Sequence, residues 1–395
     1  MSGESLPYAY VRLAVSRAAA VTNAYGFFAL AAPDSPYTLC VSFVGYEPLR
    51  MPVAAKSAPD VRLALRPAVN SLSEVTVKAR GAYEAELKSP AMSHHHLSGS
   101  QIKRTVMMFG EPDALKTLQL MPGVNATADG SNNLSIRGGS HDHNLILLDE
   151  AVVFNPSHAM GLVSAFNPDA VHDVDLYKGA IPARYGGRLS AVVDMRMKEG
   201  DANGFHVSGG LGTMCSRLVV EGPIKRDTAS FIVSARRGYA KLLTLGRDLF
   251  ETSSYDRPDK DNATFGDYSV KLNWRLPNGD RLFASAYASD DLFHLFAVQA
   301  GTQTKWSNKT ATLRWNHAFA KNIFANTTVA ASSYDYSQEQ KGDTRDCKWT
   351  AAMAEIDAKI DVDHYASVGQ PSYSWSTSSS ISQFWPPSFL PPKVR

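Results

Sequence analysis

In the stretch "YSVKLNWRL", Tyr268, Val270, Leu272, Trp274 and Leu276 alternate with Ser269, Lys271, Asn273 and Arg275. "AEIDAKIDVD" repeats the habit, with Ala354, Ile356, Ala358, Ile360 and Val362 set against Glu355, Asp357, Lys359, Asp361 and Asp363. Two is the strand period, because successive side chains leave a strand on opposite faces. A strand with one apolar and one charged face suits a sheet with an apolar medium on one side and water or polar groups on the other. A water-soluble sandwich produces the same alternation, so the connections between strands must separate the two.

Those connections vary in length. "PIKRD" (223–227), "PNGD" (277–280) and "AKN" (320–322) are short, the second carrying an Asn-Gly hairpin signal. Residues 238–264 and 290–306 read as long connections and 335–347 as an intermediate one. Tight turns alternating with extended loops mark an outer-membrane barrel rather than a sandwich. Counting from residue 205, about eight strands fit.

Composition closes off other classes. A chain of 395 residues has room for roughly two or three domains. A net charge of +2 offers no electrostatic basis for nucleic acid. Cys40, Cys215 and Cys347 lie far apart and form no CxxC pair, so neither a disulfide framework nor a zinc site is indicated. No apolar window is long enough for a membrane-spanning helix, which leaves a β-barrel open. The start, "MSGESLPYAYV", lacks the charged and apolar regions of a signal peptide, and taken literally describes a cytoplasmic chain.

The chain divides into five parts. Residues 1–67 read as a small antiparallel β-sandwich: Tyr37, Leu39, Val41 and Phe43 oppose Thr38, Cys40 and Ser42, "DVRLALRP" alternates again, and "TNAYG" and "FVGYEP" supply turns. Residues 68–90 are a polar link with one β-prone run, Glu74, Val75, Thr76 and Val77. Residues 91–200 read as mixed α/β. Their helix, "EPDALKTLQLMPG", has Pro112 suited to the first turn, Gly123 suited to the stop, and Leu115, Leu118 and Met121 on one face. Short strands are expected at 134–137, 144–149 and 175–178. A basic hinge, "ARYGGR", joins the apolar runs 175–181 and 189–197. Residues 201–366 carry the alternating strands. From 367 to 395 the alternation fades, four prolines gather near the end, and the chain stops at Arg395 without a terminal aromatic. This tail resembles out-of-frame translation and is expected to add no ninth strand.

Taken in order, several motifs resemble the TonB-dependent outer-membrane receptors that carry an N-terminal carboxypeptidase-regulatory-like domain before a plug. They are "AVTNAYGFFALAAPDSPYTLCVSFVGYEPLRMPV", "LSEVTVKAR", "LQLMPGVNA", "LSIRGG", "NLILLDEAVVFNPSH", "FNPDAV", "LYKGAIPARYGGRLSAVVDM" and "EGPI…SARRGY". The resemblance implies a mainly β chain: a small β-sandwich, a mixed α/β plug domain, then about eight strands of a larger antiparallel transmembrane barrel of about 22 strands. A barrel of that size needs far more residues than follow residue 200. The resemblance further implies a gated transporter of ferric siderophore, cobalamin, glycan or peptide, placed in the outer membrane. Its partners would be lipid, a surface lipoprotein and periplasmic TonB, which Glu74, Val75, Thr76 and Val77 would meet by strand addition. Arg137, Arg184 and Arg188 would reach carboxylates on the barrel wall, with Gly186 and Gly187 allowing the hinge to turn. His141, Asp142 and His143 fit a ligand-contacting apex or a plain loop equally well.

No enzyme, cofactor or metal is expected. His94, His95 and His96, on a polar link, would point in different directions and be solvated. Ser190 and Asp194 lack a nucleophile elbow, and "GGS" lacks a strand-to-helix phosphate cradle. A soluble β-rich binding or regulatory module without transport activity is the alternative from another class.

Overall fold

The computed structural model of the chain describes residues 4–14, 18–33, 35–43, 45–54, 61–66, 68, 93–105, 111–128, 131–239, 262–297, 300–320, 322–342, 345–365 and 373–394. Glu74, Val75, Thr76 and Val77, the run expected to bind TonB, lie outside them.

Strands β1 (Tyr10–Leu13), β2 (Ala19–Val21), β3 (Tyr37–Ser42) and β4 (Leu49–Val53) form a four-stranded antiparallel sheet in the order β2-β1-β3-β4. Val11, Leu39, Val41, Val53 and Leu65 are its core. Among the described residues this is one sheet rather than the two of a sandwich. The alternating 61–66 segment is not a strand; it lays Val61, Leu63 and Leu65 against the core and bonds through Arg66 to Glu47.

The central domain comprises β5 (His94–Ser98), α1 (Gly99–Arg104), α2 (Ala114–Gln119), β6 (Val124–Ala126), β7 (Leu134–Ile136), β8 (Asn144–Leu148), β9 (Ala151–Val152), β10 (Ser157–His158), β11 (Val163–Ser164), β12 (Val171–Tyr177) and β13 (Ala191–Met197). Its main sheet runs β5-β12-β13-β8-β9, with β13 and β8 parallel. Helix α2 begins at Ala114, two residues after the Pro112 expected in its first turn. Asp113 caps it, accepting from the Lys116 amide at 3.0 Å, because a carboxylate can satisfy the free N–H groups of the first turn and Pro112 cannot. Gly123, at φ +76°, turns the chain into β6. Leu115 and Leu118 are fully buried with Ile136, Leu176, Val193 and Met195.

The histidine run is not a solvated link. It forms the edge strand β5, paired with β12 so that His96 lies opposite Asp175. Two-residue periodicity then puts His94 and His96 on one face, where a buried carboxylate meets both.

Beyond Gly200, whose added Cβ would sit 2.4 Å from the Phe231 carbonyl oxygen, the chain enters a nine-stranded antiparallel sheet, here called the wall. Its strands are β14 (His206–Leu211), β15 (Cys215–Lys225), β16 (Ala229–Gly238), β17 (Asn262–Arg275), β18 (Arg281–Ala297), β19 (Ala300–Ala320), β20 (Ile323–Gly342), β21 (Arg345–His364) and β22 (Tyr373–Val394). The expected long connection at 290–306 and the intermediate one at 335–347 are instead ladder, paired out to Ala297↔Ala300 and Lys341↔Asp346. Polar side chains extend a hairpin past an apolar layer as readily as through it, because the ladder still satisfies every backbone group.

The tail is the second departure: residues 373–394 form a ninth strand. Between Thr350 and Ala352 the partner strand steps from Ser388 to Trp385, and between Asp346 and Lys348 from Lys393 to Leu390. Pro386–Pro387 and Pro391–Pro392 therefore fall in two bulges of a sheet-edge strand, where a missing N–H removes no ladder bond.

The wall is inverted relative to a soluble sheet. Tyr268, Val270, Leu272 and Trp274 are 37–55% exposed, whereas Lys271 is 2% and Asn273 8% exposed. Among the described residues, no helix is long and apolar enough to cross a membrane.

Leu118→Ala should lower the unfolding free energy of the central domain by about 2–5 kcal/mol, the usual cost of a buried leucine cavity. Urea unfolding checks this, and an unshifted midpoint would contradict the core assignment.

Candidate functional site

The wall's buried polar face has to be matched, and the central domain matches it. At the end of β8 the chain passes through Asp149 (φ +48°) and Glu150 (φ +75°), two left-handed residues in succession without a glycine. That costly geometry swings both carboxylates onto the wall. Lys271 of β17 donates to Asp149 at 2.8 Å and to the Met197 carbonyl at 2.7 Å. Glu150 takes Lys359 of β21 and, at 2.7 Å, Arg184. Burial opposes ionisation of Glu150, but Lys359 and Arg184 hold its carboxyl well below the usual carboxylate range. Glu199 receives Arg281 at 2.6 Å; burial is again outweighed, by Arg281 and Lys271, and its carboxyl falls to about 2.

A second cluster lies further along the wall. His158 is fully buried, its Nδ1 2.6 Å from Asp291 and its Nε2 3.3 Å from Asp267, with its ring stacked 4.7 Å from Phe265. Burial pushes the imidazole down, yet Asp291 and Asp267 outweigh it and raise the imidazole above its ordinary value. Arg236 completes the cluster, donating to Asp267 at 2.6 Å and to the Ser164 carbonyl at 2.5 Å. Asn308 bonds the Asn155 carbonyl at 2.8 Å and Tyr287 the Ala165 carbonyl at 2.6 Å. Residues 149–165 of the central domain are thereby stitched to four adjacent wall strands and to β21.

The N-terminal domain meets both bodies. Tyr25 donates to Glu150 at 3.0 Å and accepts from Arg184 at 3.0 Å and from Asn326 of β20 at 2.5 Å. On the central sheet, Asp175 accepts from His94 at 2.8 Å, His96 at 2.9 Å and Arg196 at 3.1 Å. Burial opposes its charge, and these three hold it far below the usual range. His96, Asp173 and Asp175 also bring ligand atoms within 4.8 Å of one another, as a metal would require. Arg196 already supplies the cation there, so the group is an ion-pair network. His172 bridges Asp173 at 2.7 Å and Glu4 of the N-terminal domain at 3.9 Å. Burial lowers its imidazole, but Asp173 and Glu4 raise it to about 9.

The residues singled out in the sequence scatter across this arrangement. Arg184 lies 3.6 Å from the wall carboxylate of Asp361. Arg137 does not reach the wall but donates to Ser93 at 2.7 Å, and Arg188 donates to the Gly187 carbonyl at 2.9 Å. Gly187 needs its freedom, at φ +78°; Gly186 has neither a positive φ nor a neighbour that a Cβ would meet. His141 and Asp142 are exposed in one 3-10 turn with His143, and a Ser140 hydrogen bond holds the Asp142 carboxyl below its ordinary value. Sequence reading missed Asp149, Glu150, His158, Glu199 and Tyr25. The acidic pair closing the apolar run "NLILLDE" was the available signal.

The description CarboxypepD_reg-like domain matches residues 1–77, and TonB-dependent Receptor Plug Domain matches residues 96–193. No curated protein sequence matches the chain. Among solved structures, the ferric enterobactin receptor of Pseudomonas aeruginosa aligns at TM-score 0.54 and 14% identity, covering 76% of this chain and 50% of the receptor. FpvA of P. aeruginosa, bound to heterologous pyoverdines, aligns at 0.55 and 17%, covering 75% and 43%. The ferric preacinetobactin receptor of Acinetobacter baumannii aligns at 0.50 and 13%, covering 77% and 51%. The chain thus spans about half the length of these receptors, and the likeness is one of fold: the wall resembles a partial receptor barrel.

The His172 contact predicts a pH dependence. A group raised from 6.5 to about 9 on folding contributes fully below 6.5, and its contribution is lost as pH rises through about 9. Hydrogen exchange in residues 4–14, corrected for the intrinsic rate, should accelerate across that window, and His172→Gln should remove the dependence. A flat profile in the unsubstituted chain would contradict it.

Proposed function

We infer, from a chain that joins a CarboxypepD_reg-like domain to a TonB-dependent receptor plug domain and to strands arranged as in a receptor barrel, that it is part of an outer-membrane transporter for energy-coupled uptake of a scarce nutrient. One observation carries this reading: the wall exposes Val270, Leu272, Trp274, Leu313, Ile356 and Ile360 and buries Arg236, Asp267, Lys271, Asp291 and Lys359, which pair with the plug or with one another. Water would enforce the opposite arrangement, and lipid enforces this one. The soluble-module alternative leaves the stripe of Val270, Leu272, Trp274, Leu313, Ile356 and Ile360 without a partner.

Among the described residues β14 and β22 each have one unpaired edge. Open edges in lipid cost several kcal/mol per backbone group, so the working transporter closes this sheet with further strands. Cargo for such an architecture is a ferric siderophore, cobalamin, a glycan or a peptide.

The link between the first two domains is the handle. Glu74, Val75, Thr76 and Val77 would add as a strand to the sheet of periplasmic TonB, held by main-chain hydrogen bonds. Tension on the link would reach β5, an edge strand joined to the plug by a single ladder with β12 and by the bonds of His94 and His96 to Asp175. An edge strand peels one bond pair at a time, and its yielding would draw Leu97 out of the plug core.

Val75→Pro removes a backbone donor from the paired run and should abolish capture by the TonB C-terminal domain in a pull-down. Capture at the unsubstituted level would contradict the assignment of the handle. Deleting the encoding gene should prevent growth on one member of a panel of iron, cobalamin and glycan sources; growth unimpaired on all of them would contradict transport.

A further inference from the structure

The turn Asn23–Phe28 of the N-terminal domain stands where plug and wall meet, and it touches both. We propose that this turn is a latch: docked, it fastens the plug to the barrel wall, and it must withdraw before the plug can move.

Tyr25 is its centre. One phenolic oxygen joins Glu150 and Arg184 of the plug to Asn326 of the wall, so a single side chain from the first domain completes a network spanning all three bodies. Its ring lies 5.3 Å from the guanidinium carbon of Arg314 on β19, a cation–π contact with the wall. On either side of it, Asn23 donates to Asp363 at 2.9 Å, and Phe27 stacks on Phe324 at 5.0 Å and meets Tyr365 at 5.6 Å. The plug grips the same turn, since Arg196 donates to the Ala24 carbonyl at 2.8 Å. The turn is itself rigid: Asn23 Oδ1 accepts from the amides of Tyr25 and Phe27, both at 3.0 Å, and Gly26 takes φ +79°. A pre-formed turn loses little entropy on docking.

The network has a chemical logic. Glu150 and Arg184 are ionic groups taken out of water, and each hydrogen bond lost there adds to the cost of burying them. Tyr25 supplies one donor to the carboxylate and one acceptor to the guanidinium, so its departure leaves both short of a partner and lets water into the joint. Docking of the turn and seating of the plug are therefore coupled, each stabilising the other. Chain order gives the coupling a direction. The link at 69–92 joins the N-terminal domain to β5, so a pull on it acts on the latch and on the plug edge together. The consequence for transport rests on the reading above; the latch itself does not, and it can be tested without transport.

The test is hydrogen exchange of the full chain at residues 144–152, the β8–β9 segment carrying Asp149 and Glu150. Tyr25→Phe keeps the ring and removes the bridging oxygen; Tyr25→Ala removes both; Arg12→Gln, on an exposed position of β1, is the control. Exchange at 144–152 should rise about tenfold in Tyr25→Phe and further in Tyr25→Ala, with β1 and β3 as protected as before. Should Tyr25→Ala also unprotect β1 and β3, that variant has unfolded its own domain and Tyr25→Phe decides. Exchange at 144–152 unchanged in Tyr25→Phe, or raised equally by Arg12→Gln, would overturn the latch. Growth on the nutrient panel reads the transport proposal separately, so either can fail alone.

Discussion

Lys271, Arg281 and Lys359 leave the wall on its buried face, and each meets a carboxylate of the plug: Asp149, Glu199 and Glu150. A lysine 2% exposed cannot remain charged in a protein interior without such a partner, because desolvation costs more than any surface pairing returns. Every other feature of the molecule accommodates this constraint. The outer face must be apolar, since the charges have gone inside. The plug must carry acids where an isolated globule would have no use for them. The chain must also accept left-handed backbone at Asp149 and Glu150 to deliver them. Buried pairs of this kind are weak sources of stability and strong sources of register, because a shift of one residue would leave several charges unpaired.

The same chemistry suits the movable plug that the proposed transporter requires. The plug's hydrophobic core, around Leu115, Leu118, Ile136, Val174, Leu176 and Met195, lies within the plug and, among the described residues, receives Tyr287 from the wall. The joint between the bodies carries a run of polar contacts, from Glu199–Arg281 to His158–Asp291, with one apolar cluster in which Ala159, Leu162 and Val163 meet Cys215, Phe265 and Phe293. Water can replace a hydrogen bond and solvate an ion, whereas it gives nothing back to an exposed leucine. A plug held this way can part from the wall without exposing its core. The Asn23–Phe28 turn sits at that joint, beside the Glu150–Arg184 and Glu150–Lys359 ion pairs.

What could be read from the sequence was whatever repeats with a short period. The alternation of Tyr268 to Leu276 identified the wall and its two faces, and the family motifs located the plug. Strand ends were harder, because 290–306 and 335–347 look like loops in composition while their backbones remain paired. Prolines at 386, 387, 391 and 392 argued against a strand, yet bulges at a sheet edge absorb them. The joint itself was mostly invisible. Arg184 was noticed as a basic residue in a glycine hinge, but Glu150, His158 and Tyr25 acquire much of their meaning from partners more than 100 residues away. No local pattern encodes a contact of that separation.

The proposed orientation sets the wall's apolar face against lipid and its charged face against the plug. Single-tryptophan variants retaining Trp274, Trp315 or Trp306, studied in micelles of a brominated detergent, test it directly. Trp274 and Trp315 are 55% and 38% exposed on the apolar side, while Trp306 is 5% exposed and donates to the Ser157 carbonyl of the plug. In that orientation the brominated chains quench Trp274 and Trp315 strongly and Trp306 little. Quenching of Trp306 with Trp274 and Trp315 left bright would mean that the sheet presents its other face to the apolar phase, and the account would be wrong.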